Sequence, residues 1–256
     1  MTAVTWDVRR FTTLESTNDW LLRRAREGAP AGLVALADHQ RAGRGRMGRR
    51  WEAPPGRCLL VSVLLRPVAP PGALFACTAA VALAAADACA AVAGVEPTVK
   101  WPNDLLIGER KVAGVLAESD ASAQGGRPGS VAVVVGIGVN LDWEGPPGAD
   151  ATSLAAYASG PVGREPLLEV MLDELSGRAA MLDTDEARRA IVAELRARCA
   201  TLGRQVAVEM AGGRRLLGTA SALGDDGRLV VATAEGDVAV SAGDVVHLRP
   251  AAGEPE

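Results

Sequence analysis

Cysteine and histidine are scarce in this chain of 256 residues, which contains four cysteines and two histidines. No two cysteines are spaced as Cys-x-x-Cys, and neither His39 nor His247 has a partner at metal-ligand spacing. The sequence therefore predicts neither a zinc finger nor a disulfide framework. It predicts reduced thiols, as in cytoplasmic proteins, that mainly fill the core.

Membrane and secretion signals are also few. The first 16 residues contain no apolar segment of the signal-peptide type. Residues 73–94 are long enough to cross a bilayer, but they are mostly alanine and include Asp87. We expect this segment to be a buried helix of a soluble protein, with no membrane partner.

Several signatures of enzyme families are missing. The chain has no G-x-x-x-x-G-K-[ST] phosphate loop, no G-x-S-x-G turn, and no His-Arg-Asp or Asp-Phe-Gly of protein kinases. Residues 43–48 match G-x-G-x-x-G, but the following "RRWEAPPG" is unsuited to a long helix, and no acidic residue lies near Leu65. A dinucleotide-binding fold needs both features, so we reject it.

The main positive feature is a basic segment, "RAGRGRMGRRW", over residues 41–51. The net charge of the chain is −4, so this segment has a local function rather than a role in coating a polyanion. Glycines let a backbone close around a ligand, and guanidinium groups bind phosphate or carboxylate oxygens. Arg44 and Arg46 would point to one side if the segment is extended, and Trp51 favours a ligand with an aromatic ring. The alternative is a solvated basic loop.

Three further groups of polar residues could face a ligand. Asn103 and Asp104 of "KWPNDLL" form either an Asx turn or a phosphate site in which Asp104 holds Mg²⁺. Lys111 is either a solvated lysine or a point charge beside a phosphate. Asn140, in "GIGVN", marks a strand end or a ligand contact.

The hydrophobic pattern predicts alternating helices and strands followed by a small β unit. The continuous apolar run in "SVAVVVGIGVNL" is typical of a central strand and is expected to end in a glycine-spaced turn. After Gly203, short alternating runs separated by glycine-containing turns predict antiparallel hairpins. We expect a domain over 1–200, a second over 201–250 and a disordered tail over 251–256. Helices are predicted from Ser16 or Thr17 to Gly28, over 73–94, over 164–182 and over 184–200.

Four segments occur in one order: "ESTNDWL", "DHQRAGRGRMGRRW", "KWPNDLLIGERKVAG" and "GIGVNL". Together they resemble the biotin protein ligases, also called biotin–[acetyl-CoA-carboxylase] ligases, and the likeness extends from about residue 10 into the C-terminal β unit. The resemblance implies an α/β catalytic domain, a mixed sheet with helices on one face as in class II aminoacyl-tRNA synthetases. A small C-terminal barrel of the SH3 type follows it. Since no DNA-binding module precedes this domain, we expect a monofunctional ligase.

The resemblance also implies a role for each matching residue. Arg44, Arg46 and Lys111 are expected to be catalytic, and Asp104 to hold Mg²⁺ through ATP. Met47 lies where some relatives have a basic residue. The expected biotin contacts are Ser16, Thr17, Asn18, Gln40, Gly43, Arg44, Gly45, Arg46 and Lys111, and the expected ATP contacts are Trp51, Asn103, Asp104 and Asn140.

The implied activity uses ATP and Mg²⁺ to form biotinyl-5′-AMP and then biotinylates a lysine of a biotin carboxyl carrier domain. That partner could dock by adding a strand to a sheet edge. We expect a cytoplasmic monomer or weak homodimer without a nucleic-acid partner. The alternatives are a lipoate or octanoate ligase, or a non-enzymatic nucleic-acid binder, whose single basic loop would bind weakly at physiological salt.

Overall fold

The computed structural model describes residues 4–68, 74–120, 122–123, 125–210, 213, 215–241 and 243–247, and the predicted tail lies outside them. Its centre is a seven-stranded mixed sheet of order β1-β2-β3-β7-β6-β5-β4. The pair β1–β2 is parallel, and every other neighbouring pair is antiparallel. The strands are β1 (Asp7–Leu14), β2 (Leu33–Gln40), β3 (Cys58–Leu65), β4 (Thr98–Lys100), β5 (Asp104–Ile107), β6 (Arg110–Asp120) and β7 (Ala132–Asn140).

The central strands are buried on both faces, because helices cover each side. Three helices, α2 (Leu74–Ala93), α3 (Arg164–Met181) and α4 (Asp185–Ala197), pack on one face and form the larger core. The helix α1 (Thr17–Arg26) packs on the opposite face, where Leu21 and Ala25 belong to a smaller core. The predicted mixed sheet with helices is confirmed, but the helices do not all lie on one face, because α1 packs on the other. The second face is only partly covered by α1, and that leaves room for a site.

Helix α2 is apolar on all sides and fits a core position. By length and composition it could cross a membrane, yet 72% of its apolar window is buried inside the fold. Its one charged residue, Asp87, forms ion pairs with Arg178 of α3 at 2.6 Å and with Arg198 at 2.5 Å. The charge is therefore compensated within the helical layer, as the prediction of a buried helix requires.

Two features of the large sheet differ from the sequence-based expectations. Strand β1 was not predicted, because it is an edge strand with mostly exposed, polar side chains. The prediction of a glycine-spaced turn was wrong. Gly136 and Gly138 lie inside β7, paired with β3 on one side and β6 on the other.

The C-terminal segment forms a second, antiparallel sheet of order β11-β10-β9-β8-β12. Within the described residues β11 and β12 do not pair, so the sheet is not closed into a barrel there. Trp101, 1% exposed, connects the two sheets: Thr201 Oγ1 accepts from its backbone N–H, and its indole Nε1 donates to the Gly227 carbonyl. The strands are β8 (Gln205–Glu209), β9 (Arg215–Leu223), β10 (Leu229–Thr233), β11 (Gly236–Val240) and β12 (Asp244–His247).

Candidate active site

The candidate site is a small pocket on the α1 face of the large sheet, beside β6 and β7. Because side chains alternate along a strand, Gly114 and Leu116 of β6 face it together with Gly136 and Gly138 of β7. Gly114 pairs with Gly138, and Leu116 pairs with Gly136. The glycines leave a floor of bare backbone on which a ligand or ring can lie. The pocket is lined by Ser16, Thr17, Asn18, Gln40, Arg44, Trp51, Gly114, Leu116, Gly136, Ile137 and Gly138.

The N-terminus of α1 forms a buried polar wall of this pocket. Ser16 caps the helix, and its hydroxyl accepts from the backbone N–H of Asp19 at 3.3 Å. Gln40 Oε1 accepts from the backbone N–H and the hydroxyl of Thr17, at 2.8 and 3.0 Å. The structure thus brings the predicted biotin-binding turn and Gln40 together. A helix N-terminus also favours a bound anion.

Asn18 is held at both ends of its side-chain amide. Its Nδ2 donates to the Leu116 carbonyl at 3.2 Å and to Glu118 Oε2 at 2.8 Å, and Ser62 Oγ lies 2.6 Å from its Oδ1. A Cβ at Gly136 would lie 2.2 Å from the same Oδ1. The sequence did not predict Ser62 or Glu118, although both lie on pocket-facing positions of their strands.

The basic segment folds as a short hairpin rather than an extended strand. The backbone N–H of Gly45 donates to the Arg49 carbonyl at 2.7 Å, and that of Trp51 donates to the Gly43 carbonyl at 2.9 Å. Between them is a 3₁₀ turn over Arg46–Gly48, whose middle residue, a methionine, has a φ of 55°. We call residues 43–51 the arginine loop.

The two central arginines of the arginine loop reach different partners. Arg44 Nη2 donates to two carboxylates, Asp19 Oδ1 at 2.5 Å and Glu118 Oε2 at 2.8 Å. Arg46 Nη1 donates to Asn103 Oδ1 at 3.2 Å and, at the same distance, to a backbone carbonyl beside β12. The condition under which both side chains would point to one side, an extended segment, is not met, because the chain turns at Arg46.

Trp51 fills most of the pocket. Atoms of its ring would lie 2.5 Å from a Cβ at Gly138 and 3.1 Å from one at Gly114, and its Nε1 is buried without a hydrogen-bond partner among the described residues. Lys111 Nζ lies 5.5 Å from the ring centroid. The remaining cavity of about 30 Å³ has room for one or two waters, so a larger ligand requires the pocket to open.

Lys111 and Asp104 form an ion pair beside this ring, with 2.7 Å between Nζ and Oδ1. Strands β5 and β6 bring them together across their hairpin. Asn103, one residue earlier, donates from Nδ2 to the Val115 carbonyl at 2.6 Å. A basic and an acidic group therefore lie together at one edge of the pocket, and their roles toward phosphate and Mg²⁺ stay predictions.

Asn140 lies apart from the pocket lining. It is 3% exposed, and its Nδ2 donates to the Thr152 carbonyl at 2.9 Å while Cys58 Sγ lies 3.4 Å from its Oδ1. Thr152 in turn donates from its backbone to the Lys111 carbonyl. In this arrangement Asn140 supports the backbone around Lys111, and its role as an ATP contact stays a prediction.

Comparison with known proteins shows the family of this chain. Residues 10–140 match the biotin/lipoate A/B protein ligase family, and residues 201–248 match the C-terminal domain of biotin protein ligases. The chain is 38% identical over 241 residues to a biotin–[acetyl-CoA-carboxylase] ligase of Mycobacterium tuberculosis, covering 91% of this chain and 86% of that protein. A ligase of the same name from Paracoccus denitrificans is 38% identical over 182 residues, with coverages of 66% and 72%.

A solved structure shows the same fold. The biotin protein ligase from Aquifex aeolicus, in complex with biotin and ATP, superposes with a TM-score of 0.77 and 24% identity, covering 95% of this chain and 99% of that one. The chain belongs to the biotin/lipoate A/B protein ligase family. Its C-terminal match places it with the biotin protein ligases of that family.

Proposed function

We propose that this chain is an ATP-dependent ligase that activates biotin as biotinyl-5′-AMP and transfers it to a lysine of a biotin carboxyl carrier domain. The observation that carries the proposal is the glycine-floored pocket at the α1 N-terminus, closed by the arginine loop and flanked by Lys111. The named relatives at 38% identity support biotin over lipoate or octanoate.

The first step must bring two anions together. A carboxylate oxygen of biotin attacks the α-phosphorus of ATP, forming one P–O bond while the bond to pyrophosphate breaks. Arg44 lines the pocket and Lys111 borders it, so both can offset the repulsion between carboxylate and phosphate. Held in place by Asp19, Glu118 and Asp104, these cations are oriented before the charge develops.

The residues present fit a Mg²⁺ ion that arrives with ATP. Such ions are usually held by one or two carboxylates together with substrate phosphates. Asp104 supplies one carboxylate, and no group of three or more potential ligands exists within the described part of the chain. When bound, the ion would neutralise phosphate charge.

In the second step the lysine amine of the carrier attacks the acyl carbon of the mixed anhydride. The C–N bond forms as the bond from carbon to the phosphate oxygen breaks, and AMP leaves. Water competes for the same carbon, so the adenylate must be shielded. The arginine loop covers the pocket in a compact hairpin and can supply that shield.

The carrier needs a docking edge, and the two edges of the large sheet differ. The edge at β4 is covered, because Val99 exchanges backbone bonds with Arg198 and Ala200 at 2.9 and 2.8 Å. Strand β1 pairs only with β2 among the described strands and is largely exposed. Docking of the carrier along β1 is part of this proposal. So are a cytoplasmic location and a monomer or weak homodimer.

The nucleic-acid alternative is disfavoured by the contacts of the basic segment. Arg44 and Arg46 are turned toward carboxylates, an amide and a backbone carbonyl of the protein itself. Arginines paired in this way are less available to a phosphate backbone, and the net charge of −4 also disfavours a polyanion partner.

The test is pyrophosphate release from Mg·ATP by the full chain with biotin, lipoate or octanoate as the added acid. Biotin should stimulate release, and lipoate and octanoate should stimulate it far less. Lys111→Ala should lower the biotin-dependent rate by on the order of a hundred-fold, as for loss of one preorganised charge. Absence of stimulation by biotin in the unmodified chain contradicts the proposal. A preference for lipoate or octanoate would instead identify a lipoate or octanoate ligase.

A further inference from the structure

The arginine loop is tied to the pocket wall by two carboxylates. We propose that Glu118, assisted by Asp19, is a positioning residue that holds the arginine loop closed and orients Arg44 for the reaction. We call this pair of carboxylates the catch. The inference rests on the proposed function, since it states what positions the loop of that same site.

The side chain of Glu118 contacts both the arginine loop and the polar wall at the N-terminus of α1. It lies on β6 two residues beyond Leu116 and four beyond Gly114, so it follows them on the pocket face. Its Oε2 accepts from Asn18 Nδ2 and from Arg44 Nη2, both at 2.8 Å. One carboxylate oxygen thus joins the buried wall to the loop.

Asp19 adds a second charge from the first turn of α1. Its Oδ1 accepts from the same Arg44 Nη2 at 2.5 Å, so the two carboxylates meet at one nitrogen. When the loop opens, Arg44 leaves and two like charges remain side by side, which is unfavourable. This repulsion favours the closed loop.

The catch leaves Arg44 able to contact substrate. A guanidinium has five N–H donors in a planar fork, and both described bonds use Nη2. Donors on Nε and Nη1 can therefore serve a carboxylate or phosphate oxygen in the pocket that Arg44 lines. A lysine has no second edge of this kind, and this explains why an arginine suits the position.

The catch must also release, because the closed pocket has space for only one or two waters. The partial exposure of the residues involved allows this release. The side chains of Arg44, Asp19 and Glu118 are 40%, 41% and 25% exposed, so solvent screens the pairs and each is weak. The loop can open to admit biotin and ATP and close again over the adenylate.

The experiment compares Glu118→Gln and Asp19→Asn with a matched control in the full chain. The control is Asp120→Asn, which also removes one negative charge from β6, two residues beyond Glu118. Asp120 pairs with Arg26 at 2.6 Å, and this pair does not involve the loop. Two rates are measured: tryptic cleavage within residues 41–50 without ligand, and loss of bound biotinyl-AMP after unbound biotin and ATP are removed. Both should rise about three- to ten-fold in the two catch variants and stay unchanged in the control.

A double variant separates positioning from general destabilisation. If Glu118 acts through Arg44, then Arg44→Ala with Glu118→Gln should lose adenylate no faster than Arg44→Ala alone. Unchanged rates in Glu118→Gln, equal effects of Asp120→Asn, or additive effects in the double variant each overturn the catch. Should the unmodified chain show no biotin-dependent pyrophosphate release, the proposed function fails, whereas the ligand-free cleavage rates still decide the catch.

Discussion

At the scale of single residues, the glycines of this chain have separable roles. A Cβ at Gly43 would lie 2.5 Å from the Trp51 carbonyl oxygen, which is backbone and cannot move alone. A Cβ at Gly45 would meet nothing closer than 3.5 Å, and its φ of −116° suits any residue. Two glycines of one motif are therefore unequal: the first is required by contact, and the second is not required in the closed loop.

This difference predicts unequal effects of two similar substitutions. Gly43→Ala should cost roughly 1–3 kcal/mol in closing the loop and lower biotin-dependent pyrophosphate release by about ten-fold or more. Gly45→Ala should change the rate by less than about three-fold. Steady-state rates at matched biotin and ATP concentrations check both. Equal losses in the two variants would mean that the loop acts in a conformation other than this hairpin.

Burial also determines the chemistry of three cysteine thiols. Burial raises the pKa of Cys58, Cys77 and Cys89 to about 12. Their thiolate fraction at neutral pH is negligible, and each fills space in the core. The expectation of reduced, structural cysteines is in keeping with this burial.

At the scale of elements, the helical layer depends on one charge inside an apolar helix. Asp87 lies in α2 and binds Arg178 and Arg198, which come from the segments that pack over it. Arg178 is 13% exposed, and although burial lowers its pKa, hydrogen bonds to Glu194 and Asp87 raise the pKa overall. The ion pairs thus connect α2 to α3 and to the C-terminal end of α4.

Asp87→Asn should therefore lower the free energy of unfolding by about 1–3 kcal/mol, because two part-buried arginines lose a counter-charge. The control is Glu174→Gln, which removes a more exposed partner of Arg178 at 3.3 Å and should cost at most about 1 kcal/mol. Urea unfolding of both variants measures the difference. A Glu174 effect as large as that of Asp87 would show that burial does not set the strength of this network.

At the scale of the whole molecule, the two sheets meet around a histidine. His247, on β12, contacts Thr201 Oγ1 at 3.0 Å, and Thr201 also accepts from the Trp101 backbone. Burial lowers the pKa of His247; the charges of Lys100 and Arg204 add to this, and Glu109 opposes it. The junction thus favours the neutral imidazole.

The sign of the resulting pH effect follows from linkage. A histidine with a lowered pKa in the folded state gives full stability above its unfolded pKa of about 6.5, and this stability is lost as pH falls below that value. Urea midpoints at pH 7.5 and 5.5 should differ more for the unmodified chain than for His247→Gln, whose amide can still contact Thr201. An equal pH dependence in both proteins would show that His247 does not cause the loss of stability at low pH.

The sequence alone determined much of this protein, because its signals are local. Caps and periodicity placed the helices, and Ser16 caps α1 as predicted. The order of four motifs identified the family, and Gln40, Arg44 and Asn18 do meet in one pocket. Strand β1 escaped prediction, since an exposed edge strand lacks a hydrophobic pattern.

Only the tertiary structure decided which side chains contact one another. Ser62 and Glu118 belong to the site because the strands of one sheet place distant positions on a common face. Arg44 and Arg46 reach different partners, and the segment turns at Arg46 instead of continuing as a strand. Spacing along a chain reports local geometry, whereas contacts between α1, β6 and the arginine loop depend on packing of the whole sheet, which no single segment encodes.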